Sequence, residues 1–425
     1  MAQLYPVGGL GLNQGFSFIG SAVCQRSKAG CPACTDEMDQ RQSWRYFRIE
    51  PVPSNGLNLP DYLKWTSTNM EEPHISESGL RLRAWLIIGY TLFIMYGSLS
   101  PFSDWSDQGF DFIDVLRTPF QFTYTAFDAA INLLSYLPFG LLVGLTARAR
   151  FGALTSVIAG LCAGVLLSAS MEYLQMYLPM RISSNMDILT NSTGALIGAL
   201  LAVSITSWTW FFSRITRLRN DLFRHGKEMD FGLALLALWM FGQINPSLPM
   251  LGNVFISGAA SQPFVPPHPA PFNGLESIVV TLNLLMLGTL MLTLLRVPRN
   301  IVMALLVVLS AVALVKFITA ALLLKSWALL LWINSEAMLG MMLGILLLFS
   351  ALWLPRRTAI GFGAAASLCN FALVNFVFDD NSPSAARSIY HWHYGHLLNY
   401  NGLAQTITTV FPLLLLFHLW RARKL

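Results

Sequence analysis

From Arg83 onward the chain repeats one pattern: an apolar run long enough to cross a bilayer as a helix, then a short polar break. Each crossing needs roughly 20 residues at ~1.5 Å rise per residue. The runs fall at about 83–99, 127–146, 152–171, 188–207, 231–251, 277–295, 300–320, 327–347, 359–378 and 404–420. This pattern predicts an all-α protein, a polytopic transmembrane helix bundle of about ten spans. Residues 1–80 do not share it: Gly, Pro, Ser, Asn and Gln dominate there, with scattered charges. They read as a disordered cytoplasmic tail, with Met70 an alternative translation start just before the first span.

Composition agrees with the pattern. The 425 residues are 54% hydrophobic and 12% charged, about half the charged fraction of a soluble domain. The basic residues then sort by side. Arg81, Arg83, Arg148 and Arg150, the run Arg214 to Lys227, Arg296, Arg299, Arg356, Arg357 and the C-terminal Arg421, Arg423 and Lys424 all fall in alternate segments. The intervening segments hold only Arg117, Arg181, Lys325 and Arg387. The positive-inside rule then places both termini in the cytoplasm. The net charge of +5 therefore reflects topology and gives no reason to expect a nucleic-acid partner. The domain reading is a four-helix membrane unit at 81–208, a basic cytoplasmic loop at 209–230 and a six-helix membrane unit at 231–425.

The candidate chemistry gathers at one end of three spans. Asp128 and Asn132 lie one helical turn apart at the start of the second span, on one face. Glu172 and Gln175 occupy the last turn of the third, Arg181 sits in the short connection, and Asp187 and Asn191 open the fourth. Carboxylates, amides and a guanidinium at a membrane boundary are costly to bury singly and satisfy one another or a ligand. Arg181 can pair with Glu172 or Asp187, or hold a phosphate. Glu172 and Asp187 are the candidate acid–base residues, and Asn132, Gln175, Arg181, Asn191 and Asp128 the candidate binding residues. The competing reading is a polar lattice that only clamps the helix ends. Gly160-x-x-x-Gly164 and Gly194-x-x-x-Gly198 predict close helix approach, and Pro138 a kink beneath Asn132.

The same residues carry a resemblance. Asn132-Leu-Leu-Ser-Tyr-Leu-Pro138-Phe-Gly140, Glu172-Tyr-Leu-Gln175, then Arg181, Asp187, Asn191 and Gly194 resemble the VanZ-like family in order and spacing over about residues 83–207. Ser184, Asn185 and Met186 stand where members often carry further acids. The resemblance implies a multi-pass protein of the bacterial inner membrane acting at the cell envelope, in a family named for low-level teicoplanin resistance.

In the second half, Asn283-Leu-Leu echoes Asn132-Leu-Leu, and Asn334-Ser before Gly340-x-x-x-Gly344 echoes Asn191-Ser before Gly194-x-x-x-Gly198, the marks of a degenerate repeat or of chance similarity between apolar helices. Glu336 is expected about ten residues into its span. It pairs with Lys316 or is neutral, with Lys316 snorkelling outward. Cys31-Pro-Ala-Cys34 with Cys24, and His391, His393 and His396, have metal-like spacing, but tail and interfacial-aromatic readings are preferred and no metal or cofactor is expected. Residues 262–271 form a stiff Pro-rich outer loop. No nucleotide fingerprint or nucleophilic triad is present. The leading functional expectation is an outer-face protein whose partner is a membrane lipid or lipid-linked precursor. The alternatives are a transporter or flippase, or a non-catalytic partner of envelope-synthesis proteins.

Overall fold

The computed structural model describes residues 77–109, 111–119, 126–256, 272–377, 384, 386, 389–391 and 395–423. The tail with Met70 and its cysteines, the Pro-rich loop 262–271 and residues 392–394 of the histidine segment, His393 among them, lie outside the described residues. The helices are α1 (Glu77–Leu99), α2 (Phe112–Arg117), α3 (Ala126–Phe151), α4 (Ala153–Gln175), α5 (Asn185–Ser207), α6 (Thr209–Leu222) and α7 (Lys227–Gln243). They continue with α8 (Gly274–Leu294), α9 (Ile301–Leu323), α10 (Ser335–Leu352), α11 (Arg356–Phe376) and α12 (Gly395–Ala422). Among the described residues, nine are long and apolar enough to cross a membrane: α1, α3, α4, α5 and α8 to α12. The protein is an all-α, multi-pass membrane protein.

The expected fifth span, 231–251, is not one continuous helix. Its helix, α7, has 17 residues and stops at Gln243, because Pro246 lacks an N–H and holds the residue before it out of helical geometry. The chain from Ile244 to Phe255 is irregular, and much of it is buried. Irregular backbone at membrane depth is tolerated where protein satisfies it, and here it does. Asn245 donates to Asn401 (3.0 Å) and accepts from the backbone N–H of Ser247 (2.9 Å), while Gln243 Oε1 accepts from the N–H of Leu251 (3.0 Å).

Two further expectations change for the same reason. Lys316 is fully buried on α9 and neither snorkels nor meets Glu336. Its Nζ donates to the carbonyl of Gln243 (3.0 Å), the last residue of α7, and more weakly to that of Pro249 (3.4 Å). A cationic group at the negative end of a helix, among carbonyls that have no helical partner, is well placed. Glu336 lies in the first turn of α10, not near its middle, because residues 326–333 form tight turns before the helix starts at the Asn334 cap. Its carboxylate accepts from Ser335 (2.8 Å) and from the N–H of Asn273 (3.3 Å).

Helices α3, α4 and α5 pack around small residues. A Cβ on Gly194 would lie 2.2 Å from the Leu133 carbonyl oxygen, and one on Gly198 2.1 Å from that of Leu137. From the other side, a Cβ on Gly140 would meet the Ala195 carbonyl at 2.0 Å. Backbones this close require glycine at the contact. α3 runs unbroken through Pro138. The second hydrophobic cluster is built on α8, whose span is 83% buried and serves as the hub for the C-terminal helices.

Gly194→Ala drives a methyl into backbone and is expected to destabilise by about 1–3 kcal/mol. Gly89→Ala, with nothing within 4 Å of the new methyl, should not destabilise. Thermal unfolding midpoints in detergent compare the two; equal midpoints would remove the α3–α5 contact from its structural role.

Candidate functional site

The start of α3, the end of α4 and the start of α5 come together with the end of α1. The link between α4 and α5 is a tight turn anchored by Leu178, which is buried. The N–H of Leu178 donates to Gln175 O (2.9 Å), and that of Arg181 to Leu178 O (2.9 Å). Ser184 caps α5 by accepting from the N–H of Met186 (3.2 Å). Its own N–H donates to the Glu172 carboxylate at 2.8 Å, and Ser183 Oγ donates to the Glu172 backbone carbonyl. Glu172, 3% exposed, thus fixes where α5 begins.

Arg181 and Gln175 both serve the end of α1. Gln175 Nε2 donates to Ser98 O (2.9 Å), while Arg181 Nη2 donates to Ser100 O (2.9 Å) and Gly97 O (3.2 Å). Of the two roles open to Arg181, an ion pair with Glu172 or Asp187 is not formed among the described residues; the carbonyls of Gly97 and Ser100, at and just past the end of α1, take the guanidinium instead. Burial pulls the Arg181 guanidinium below its ordinary range, and the charge of Glu172 opposes that shift.

The remaining residues divide by depth. Asn132 Nδ2 donates to Asp187 Oδ1 at 2.6 Å, joining α3 to α5. Asn191 turns inward, its Nδ2 donating to Ser168 Oγ on α4 (2.9 Å). The Asn191 Oδ1, Tyr136 hydroxyl and Ser192 hydroxyl are buried without a protein hydrogen-bond partner. Asp128, Arg181 and Asp187 line a cavity of about 730 Å³ under the loop that carries α2. Asp111, Asp114 and Ile182 line it too.

Six polar residues, in the order Asn132, Glu172, Gln175, Arg181, Asp187 and Asn191, are therefore brought to one end of three consecutive spans. Residues 84–207 match the VanZ/LLP1 family model. This VanZ-like segment takes in α1 through α5 almost entirely and leaves the C-terminal helices outside it. No curated protein and no solved structure matches the chain.

Of the seven candidates in the VanZ-like segment, only Asp128, Arg181 and Asp187 face the cavity. Glu172, Gln175, Asn132 and Asn191 hold the helix ends that shape it. Reading the sequence passed over Asp111 and Asp114, whose i, i+3 spacing in the loop after α1 was the available signal. It also passed over Tyr136 and Ser168, which sit inside apolar runs. The loop is held by Gln108 Nε2 donating to Met176 O (2.9 Å), the N–H of Ser106 donating to Tyr177 O (2.9 Å) and Asn185 Nδ2 donating to Thr118 O (2.6 Å). Among the described residues no group of three or more His, Cys, Asp or Glu is placed to hold a metal.

Glu172→Gln keeps an oxygen acceptor for the Ser184 N–H, whereas Glu172→Ala orphans that donor, a loss of about 1–3 kcal/mol. The Ala variant is therefore expected to melt well below the Gln variant in detergent. Similar melting of the two would mean that the carboxylate does not hold the α5 cap.

Proposed function

We propose that the VanZ-like segment binds, at the outer face of the bacterial inner membrane, the polar head of an envelope lipid or lipid-linked saccharide precursor. Arg181 holds a phosphate, and Asp111, Asp114, Asp128 and Asp187 take hydroxyl or amino groups. The supporting observation is the state of Arg181. One nitrogen of its fork is engaged by the carbonyls of Gly97 and Ser100 at the end of α1, which fixes the group while Nη1 and Nε remain for a ligand in the cavity it lines. Fixing a donor before the ligand arrives lowers the entropy lost on binding.

Three further features favour this reading. A volume of about 730 Å³ suits a head group and leaves no room for whole acyl chains. Met180 and Ile182, on either side of Arg181, are 79% and 90% exposed, an apolar rim where the tails of a bound lipid would lie. Four carboxylates against one guanidinium do not suit a purely anionic group; they suit a phosphate carried next to several hydrogen-bond donors. Asp187 and Asp128 are the carboxylates that would accept a proton from such a ligand, with Glu172 supporting the wall. The transporter alternative has less support, because Glu336 lies at a helix mouth and Lys316 is enclosed by carbonyls.

Native mass spectrometry of lipids retained by the purified protein tests the proposal. Wild type is expected to keep a phosphate-bearing, hydroxyl-rich lipid, with Arg181→Ala keeping about tenfold less. Asp111→Asn with Asp114→Asn should lower retention of glycosylated species more than of simple phospholipids. Identical lipid profiles for folded wild type and folded Arg181→Ala would refute it.

A further inference from the structure

Helix α6 has no part in the cavity, and none of its residues is buried. It follows the α5 span after a single residue, Trp208. Its far end is tied to the end of the α8 span: the N–H of Arg224 donates to Leu294 O (2.9 Å), the N–H of Arg296 to Leu222 O (2.9 Å), and Arg224 Nε to Leu295 O (3.0 Å). Arg219 binds Asp230 on α7 at 2.8 Å, and Arg81 at the start of α1 binds the same carboxylate at 3.3 Å. A helix of 14 residues spans about 21 Å, too short to cross an apolar layer of ~30 Å. Its two ends are fixed to the ends of two spans, so α6 lies along the membrane boundary.

The faces of α6 are sharply divided. Trp208 leads into Phe211, Ile215 and Leu218, spaced three and four residues apart on one side, and 61%, 36%, 49% and 58% exposed in that order. Beside that stripe stand Arg214 and Arg217, both exposed, with the Arg214 guanidinium 5.6 Å above the Trp210 ring. The helix contains one acid, Asp221, near its far end. Tryptophan and aliphatic side chains on one face with arginines at its edge match the boundary between acyl chains and phosphates.

We propose that α6 is an in-plane membrane anchor that binds anionic phospholipid. Trp208, Phe211, Ile215 and Leu218 enter the acyl boundary, and Arg214 and Arg217 contact head-group phosphates. The occupant is the lipid surface because α6 sits level with span ends, and its exposed cations complement an anionic leaflet. The anchor is independent of the cavity at the α4–α5 turn.

The test uses full-length protein reconstituted into vesicles of phosphatidylcholine alone or of equal parts phosphatidylcholine and phosphatidylglycerol, then delipidated and weighed by native mass spectrometry. Arg214→Gln with Arg217→Gln is expected to lower retained phosphatidylglycerol about fivefold or more while leaving phosphatidylcholine unchanged. An unchanged ratio overturns the proposal and leaves a protein partner as the occupant. A second measurement does not depend on affinity. Spin labels at Ile215→Cys and Arg217→Cys, in a cysteine-free background, are expected to differ, with label 215 accessible to membrane-soluble oxygen and label 217 to an aqueous relaxant. Equal aqueous access at both positions also overturns it.

Discussion

The VanZ-like segment depends on how closely the α3 and α5 backbones approach. Gly140, Gly194 and Gly198 let main chain rest on main chain, with no room for even one methyl group between them. In a bilayer, lipid tails compete on equal terms with apolar side chains, so helices gain little from burying leucine and much from such tight packing. The contact also sets register. It places Asn132 within 2.6 Å of Asp187 and holds the α5 mouth where Glu172 can receive the N–H of Ser184. A looser pair of helices would leave these polar groups unmatched at the membrane edge.

On that frame the polar residues divide the work. Glu172 and Gln175 are occupied with backbone groups of Ser184 and Ser98, and so are best understood as builders of the wall. Arg181 braces the end of α1 with one nitrogen, and under the proposed function its remaining donors are the ones a ligand would take. The aspartates from the α2 loop add a second, hydroxyl-friendly side to the cavity, and an alignment of charges this uneven constrains ligand chemistry more than any single residue.

The all-α, multi-pass class was legible because apolar run length is a strong physical signal, and the VanZ-like motifs were legible because polar residues within such runs are rare. The gathering of Asn132, Glu172, Gln175, Arg181, Asp187 and Asn191 at one end followed from the short α4–α5 connection. Their partners were not legible. Nothing local says that Arg181 prefers the carbonyls of Gly97 and Ser100, more than eighty residues earlier in the chain, to a nearby carboxylate. The fifth expected span differs for a related reason: the stretch 231–251 is apolar enough in composition, yet Pro246 ends the helix and the rest is held by hydrogen bonds to side chains distant in the sequence. Run length reports hydrophobicity; it does not report where a buried chain can find donors.

The enclosure of Lys316 has a consequence for how the protein is made. The carbonyl that closes α7 receives its proton donor from a residue 73 positions further along, on a helix that leaves the ribosome only after α8 is complete. Until α9 has been made, the Gln243 carbonyl lacks this donor. The end of α7 therefore acquires its full set of partners only once a segment much later in the chain is present.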